Sequence, residues 1–205
     1  TIVIDGRAYV AAAGGDDGLA LLTLTPDGRL IHLDSIEDTL DAGLGGVTAL
    51  SLASVGGVLH VFAASQTEAG LTHVTFDPGA IGSDRTAGDG GGTLSGTERD
   101  DRLFDGAGND AIRGAGGDDM IFGGTGADAM TGGAGADRFI VAGDGIRDRI
   151  EDFEPGIDTL DLSDWAQFYD PRQLTILQNA NGIRIRHRDE ELDIRIDGGG
   201  YLDPG

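Results

Sequence analysis

Apolar residues recur along this chain in two rhythms. Over residues 1–82, short apolar runs alternate with turn residues and predict strands at 8–13, 19–25, 30–35, 47–53, 59–64 and 71–77. Two stretches here match each other. Asp5-Gly6-Arg7-Ala8-Tyr9-Val10 is similar to Gly56-Gly57-Val58-Leu59-His60-Val61, and Gly18-Leu19, closing at Thr25-Pro26, is similar to Gly70-Leu71, closing at Asp77-Pro78. The offset is 51 to 52 residues, with about four strands to the period. From 96 to 140 the rhythm shortens to nine residues, repeated five times: 96–104, 105–113, 114–122, 123–131 and 132–140.

In each nine-residue unit the sixth position is an acid: Asp101, Asp110, Asp119, Asp128 and Asp137. The eighth is apolar: Leu103, Ile112, Ile121, Met130 and Phe139. Glycine is frequent in the turn that precedes the acid. It takes positive backbone angles cheaply, so carbonyl oxygens can converge on one space. A hard cation that takes six to eight oxygens suits carbonyls supplemented by one or two carboxylates. Composition alone, with eighteen glycines between 88 and 145, would fit a disordered linker. Disorder does not hold an acid and an apolar residue in register five times.

The pattern resembles the RTX calcium-binding nonapeptide repeat, G-G-x-G-x-D-x-U-x. The resemblance implies a right-handed parallel β-roll in which successive units lie on alternating sides. Leu103, Ile121 and Phe139 then form one column, and Ile112 and Met130 face them. It also implies several calcium ions between loops two units apart. Their ligands would be Asp101, Asp110, Asp119, Asp128 and Asp137, with oxygens from the turns of Gly106, Gly108, Gly117, Gly124, Gly126, Gly133 and Gly135. The first unit departs from the pattern at Thr97 and Arg99, and the second begins with Asp105. The first turn is expected to bind weakly or to act as an edge cap. After Ile140 the register breaks: Ile146 falls where an acid is expected, and Asp148 comes two residues late.

Net charge is −22, and all 14 basic residues are arginine. Such a field disfavours nucleic acid as a partner. It is read either as solubility or as repulsion that cations relieve, and the repeat favours the second for its own segment. There is no cysteine, and no apolar run of transmembrane length. The four histidines stand apart at 32, 60, 73 and 187, with no H-E-x-x-H helix and no G-x-S-x-G elbow. No catalytic residue is expected within the chain. It begins with Thr1 and without a signal-peptide pattern, and Asp203-Pro204-Gly205 does not read as a finished terminus. A piece of a longer polypeptide is expected.

Residues 148–163 resemble the D-x-I-x-D-F-x-x-G-x-D-x-L-D-L-S passage that follows the roll in serralysin-type proteases and alginate epimerase modules. Ile150, Phe153, Leu160 and Leu162 are expected to pack on the last coil and cap it. Asp152 and Asp158 are read as completing a terminal calcium site or as plain surface acids. A short helix is expected over 165–169, ending before Pro171. Alternating residues over 174–177, 183–188 and 192–197 predict strands, with Asn181-Gly182 as a tight turn. Ile183, Ile185, Leu192, Ile194 and Ile196 should face inward. Arg184, Arg186 and Arg188 lie opposite, where Asp193 and Asp197 can pair with them.

The chain is therefore expected to be all-β. An antiparallel segment at 1–82 resembles a lactonase-like β-propeller blade. A Gly-rich linker at 83–95, the calcium roll at 96–147 and a C-terminal β cap associated with secretion at 148–205 follow. Function is expected to be that of an extracellular module exported by the type I secretion apparatus, folding when it meets calcium outside. The alternatives are a non-catalytic C-terminal module of a larger secreted hydrolase, protease or epimerase, and a surface-layer or adhesin segment. In the latter, calcium would bridge the cell surface or other copies of the chain.

Overall fold

The structure, a computed structural model, describes residues 1–13, 18–25, 28–37, 44–66, 70–79, 81–179 and 182–196. It divides into two units, Thr1–Gly79 and Ala80–Gly205. In the first, β1 (Ile2–Ile4), β2 (Arg7–Ala13), β3 (Gly18–Leu24) and β4 (Leu30–Glu37) form an antiparallel meander in that order. A three-stranded antiparallel sheet follows, from β5 (Val47–Val55), β6 (Val58–Ser65) and β7 (Leu71–Phe76). Leu19, Leu21, Leu59, Val61 and Ala63 are buried, as strand alternation requires. The Tyr9 and Phe76 rings, 6.2 Å between centroids, tie the two sheets.

The internal repeat read from the sequence extends to pairing register. Ala8 pairs with Leu24 in the first sheet and Leu59 with Phe76 in the second, shifts of 51 and 52 residues. Ile4 pairs with Arg7, and Val55 with Val58, both shifted by 51. The two-residue turns also correspond. Asp5 and Gly6 have φ of 47° and 87°, and Gly56 and Gly57 have 62° and 88°, the positive pair that a type I′ hairpin needs. A shift of 52 from β4 points to residues 82–89 as its counterpart. That stretch overlaps β8 (Ile81–Thr86), which belongs to the second unit and pairs there with parallel geometry.

The second unit continues with β9 (Thr93–Ser95), β10 (Asp100–Phe104), β11 (Ala111–Gly116), β12 (Met120–Phe122), β13 (Ala129–Ala134), β14 (Arg138–Ile140), β15 (Asp148–Phe153) and β16 (Thr159–Asp161). A 3₁₀ turn at Pro171–Gln173 leads to β17 (Thr175–Asn179), β18 (Gly182–His187) and β19 (Glu190–Ile196). Alternate strands make two parallel sheets, β16-β14-β12-β10-β8 and β15-β13-β11-β9. Leu103 pairs with Ile121 and Ile121 with Phe139, while Ile112 pairs with Met130 on the other side. All five side chains are fully buried in one core with Leu94, Ile150, Phe153, Leu162 and Trp165. This is a β-solenoid, folded as the nine-residue period requires.

Three features differ from the sequence reading. Strand pairing runs through 83–95, read above as a Gly-rich linker: β8 lies against β10, and β9 against β11. The turn of the first unit is therefore not the edge of the roll. Residues 165–169 form successive turns, with Trp165 N–H bonded to the Leu162 carbonyl and Phe168 N–H to that of Trp165, and no helix. A five-residue stretch cannot offset the cost of helix nucleation. Pro171 instead opens the 3₁₀ turn, and Asp170 caps it.

The end of the roll is closed by a strand. β19 runs parallel to β15 and extends that sheet, and β18 and β17 follow antiparallel. Ile183, Ile185, Leu192, Ile194 and Ile196 are buried as expected, with Leu160 packed against the same core. Arg184 holds Asp193 through its Nε at 2.5 Å and Nη2 at 3.0 Å. Arg186 pairs with Glu191, and Arg188 donates to Gln167. Asn181 and Asp197 lie outside the described residues, as does the 203–205 tail.

Candidate metal centre

In every unit the acid stands in the first residues of a strand or immediately before it, and the apolar residue two places later lies in that strand. The apolar member enters the core and the acid sits at the mouth of the turn. Asp101, Asp110, Asp119, Asp128 and Asp137 are between 1% and 6% exposed, so these are buried carboxylates. Each uses Oδ1 to hold the coil before it. The Asp101 amide donates to Asp119 Oδ1 at 2.7 Å, and the Asp119 amide to Asp137 Oδ1 at 2.9 Å. Across the roll the Asp110 amide donates to Asp128 Oδ1 at 2.9 Å. At the start of the roll, the amides of Ser83 and Gly92 donate to Asp101 and Asp110.

Both ladders run past the point where the nine-residue count fails. The Asp128 amide donates to Asp148 Oδ1 at 2.9 Å, twenty residues on, and the Asp137 amide to Asp158 Oδ1 at 3.0 Å, twenty-one on. Asp148 was missed as a site residue because it stands two places late. The signal was present: Asp148-Arg149-Ile150 and Asp158-Thr159-Leu160 keep the acid-x-apolar triplet. The extra residues are taken up in the turns, so the strands stay in step. Asp152 has another role, accepting from the Gly132 and Gly133 amides at 3.0 and 2.9 Å.

The second oxygen of the acids sets the chemistry. Oδ2 of Asp110, Asp119, Asp128 and Asp137 is buried with no hydrogen-bond partner. A buried carboxylate oxygen left bare is costly. Burial pushes Asp119 up to about 8, against the Asp101 amide and with help from the charges of Asp137, Asp101 and Asp100. Burial likewise takes Asp148 up to about 8 and Asp128 and Asp137 to about 6. Hard carboxylate oxygens in glycine turns, drawn together and lacking donors, fit a hard divalent cation such as calcium. Asp101 differs. Its Oδ2 accepts from the Thr97 amide at 2.5 Å and from the Thr97 hydroxyl at 2.9 Å.

The glycine positions read as ligand turns divide in two. Gly108, Gly117, Gly124, Gly126, Gly133 and Gly135 all have positive φ; Gly106 does not, and its carbonyl accepts from the Thr125 amide at 3.0 Å. Coil stacking is the tighter constraint at Gly126, where a Cβ would lie 1.7 Å from the Gly108 carbonyl oxygen. Ala115 occupies a place equivalent to Gly124 and Gly133, with φ of 91°. A further ladder escaped the sequence reading. Oδ1 of Asp100, Asn109 and Asp118 accepts from the amides of Asp118, Ala127 and Ala136 at 2.7–2.9 Å.

The histidines do not converge on this centre. His60 Nδ1 and His73 Nε2 are 2.8 Å apart on β6 and β7, His32 meets Ser35, and His187 faces the Ala166 carbonyl. Among the described residues no helix is long and apolar enough to cross a membrane.

Residues 86–121 and 113–145 match the family described as the RTX calcium-binding nonapeptide repeat. Over those residues the solenoid carries RTX calcium-binding nonapeptide repeats. The matched residues begin at 86, in agreement with the pairing of β9 ahead of the first acid-bearing unit. Among solved structures the chain is similar to the AlgE6R3 subunit of the Azotobacter vinelandii mannuronan C5-epimerase. Identity is 28% and the TM-score 0.43, over 60% of this chain and 79% of that one. It is also similar to the extracellular lipase LipA of Serratia marcescens, at 18% identity and a TM-score of 0.43. That likeness covers 95% of this chain but only 29% of the lipase. No curated protein matches the sequence.

Proposed function

We propose that this chain is an extracellular module exported through the type I secretion apparatus, and that its RTX roll folds when it meets calcium outside the cell. One observation carries the reading: a column of buried aspartates gives one oxygen to the neighbouring coil and leaves the other bare. The ligands would be Oδ2 of Asp110, Asp119, Asp128 and Asp137, with turn oxygens and, at the last coils, Asp148 and Asp158. Bound calcium supplies the positive charge and the six to eight oxygen contacts these turns offer.

Where calcium is scarce, the clustered carboxylates repel one another. Each nine-residue unit also brings only one side chain to the centre of the core, too little to offset chain entropy. The segment then stays extended and can thread a narrow exporter. Outside, extracellular calcium modules bind at roughly 10⁻⁴ to 10⁻³ M. The ladder of amides and Oδ1 atoms then closes coil by coil, and the folded roll cannot return. Far-ultraviolet circular dichroism of the intact chain, in chelator and then in millimolar calcium, tests this. A gain of β-structure on adding calcium is expected, and identical spectra would exclude calcium-gated folding.

A further inference from the structure

The first position of a unit faces Oδ2 of that unit's acid, which is bare in every unit but the first. In four of the five units it is glycine, and a Cβ built there would lie 2.6 Å from Asp101 Oδ2, 2.0 Å from Asp119 Oδ2, 3.1 Å from Asp128 Oδ2 and 2.1 Å from Asp137 Oδ2. In the remaining unit that position is Asp105. Asp105 therefore brings a carboxylate to a position where its four counterparts carry no side chain and, at Gly96, Gly114 and Gly132, have no room for one unless the facing acid moves. Asp105 is only 5% exposed, and neither of its oxygens has a hydrogen-bond partner. Oxygens of Asp105, Asp110 and Asp128 all lie within 4.8 Å of one another. Calcium–oxygen bonds of about 2.3–2.6 Å let oxygens up to about 5 Å apart share one ion.

We propose that Asp105, Asp110 and Asp128 form a three-carboxylate cation site in the roll, with Asp105 as an added ligand that sets the site's affinity and charge preference. The inference rests on the calcium reading above but goes beyond it, because the nonapeptide pattern has glycine where Asp105 stands. Ligand charge count tunes affinity at oxygen sites. This site binds calcium more tightly than its neighbours and favours a trivalent lanthanide more strongly than they do. Asp105 acts with opposite sign when the cation is absent, since a third buried negative charge then opposes folding. The charge that tightens this site also opposes the calcium-free fold.

Calorimetric titration of the intact chain with calcium and with terbium, on the wild type, Asp105→Asn and Asp105→Gly, tests the assignment. The glycine variant restores the residue found at the other first positions. In both variants one site should weaken by roughly tenfold or more, terbium losing more than calcium, with the remaining sites unchanged. In chelator both variants should hold at least as much β-structure as the wild type. Wild-type and variant isotherms that coincide would overturn the assignment while leaving calcium binding intact. Loss of β-structure in chelator and calcium alike would make Asp105 a residue that holds the fold, and would also overturn it. A wild type that binds neither ion would instead remove the calcium reading itself.

Discussion

The amide of Asp119 donates to the carboxylate of Asp137, 2.9 Å away and eighteen residues later in the chain. One residue thus joins two coils through its backbone and, through Asp119 Oδ2, presents a bare oxygen to the turn. Folding and cation binding use the same side chain, so each should depend on the other.

The first consequence is a ranking of positions. Asp119→Ala should cost about tenfold more calcium affinity than Asp101→Ala, because Thr97 already occupies Asp101 Oδ2 through two donors. Asp119→Asn retains an acceptor for the Asp101 amide, so it should lose calcium affinity yet keep more β-structure in chelator than Asp119→Ala. Calorimetry with matched dichroism checks both. A larger loss from Asp101→Ala would place the ions elsewhere in the turns.

Acidity should partly replace calcium. Asp105 is raised to about 7 by burial first and by the Asp110 carboxyl beside it, the Gly106 amide pulling the other way without proper hydrogen-bond geometry. Asp119 and Asp148 are raised to about 8, and Asp128 and Asp137 to about 6, all from 3.8. Without calcium the folded roll then binds more protons than the unfolded chain between about pH 4 and 8. Its stability is greatest at the acid end and is lost as pH rises from about 4 to about 8. In chelator, β-structure should grow as pH falls from 8 to 5, and apparent calcium affinity should fall over the same range as protons compete. Dichroism and calorimetry across that range check the pair. Progressive unfolding on acidification to pH 5 would contradict the prediction.

The strained turn at Ala115 gives a stability test. With φ of 91°, Ala115 holds a backbone conformation that glycine adopts freely. Ala115→Gly should raise the stability of the calcium-loaded chain by about 1 kcal/mol. Gly133→Ala should lower it by more than that, since the new Cβ would lie 2.1 Å from the Ala115 carbonyl oxygen. Thermal unfolding in calcium measures both. A stabilising Gly133→Ala would contradict the coil stacking.

Much of this architecture is legible in the sequence because one triplet, acid-x-apolar, fixes both the strand and its face. The pairing of Leu103 with Ile121 and of Ile112 with Met130 follows from counting nines. The count fails where backbone pairing survives without the acid. Gly92 takes the sixth place of the preceding coil, and its amide still meets Asp110. It fails again where turns lengthen, so Asp148 and Asp158 keep their places in space while slipping two and three in sequence. The strand ranges over 1–82 were legible from alternation, but β1 is only three residues long and escaped it. That β8 pairs with β10 depends on contacts distant in sequence, which no local pattern records.

Asp148→Ala tests the slipped ladder. Its carboxylate holds the Asp128 amide at 2.9 Å, so its loss should free the last coil and cost about 1–3 kcal/mol in calcium. Asp161→Ala, at a half-buried acid whose carboxylate accepts from the Ser163 amide two residues on, should cost less than 1 kcal/mol. Equal effects in thermal unfolding would deny Asp148 its place in the ladder.

Hydrogen exchange on the intact chain, read peptide by peptide in chelator and in millimolar calcium, tests the central claim most directly. In chelator the amides of β2, β3, β6 and β7 should be protected, because those sheets carry no nine-residue acidic repeat and bury their own apolar residues. The amides of Asp101, Asp119, Asp128 and Asp137 should exchange freely there and become protected when calcium is added. Protection at these four amides that is equal in chelator and calcium would contradict calcium-gated folding of the roll.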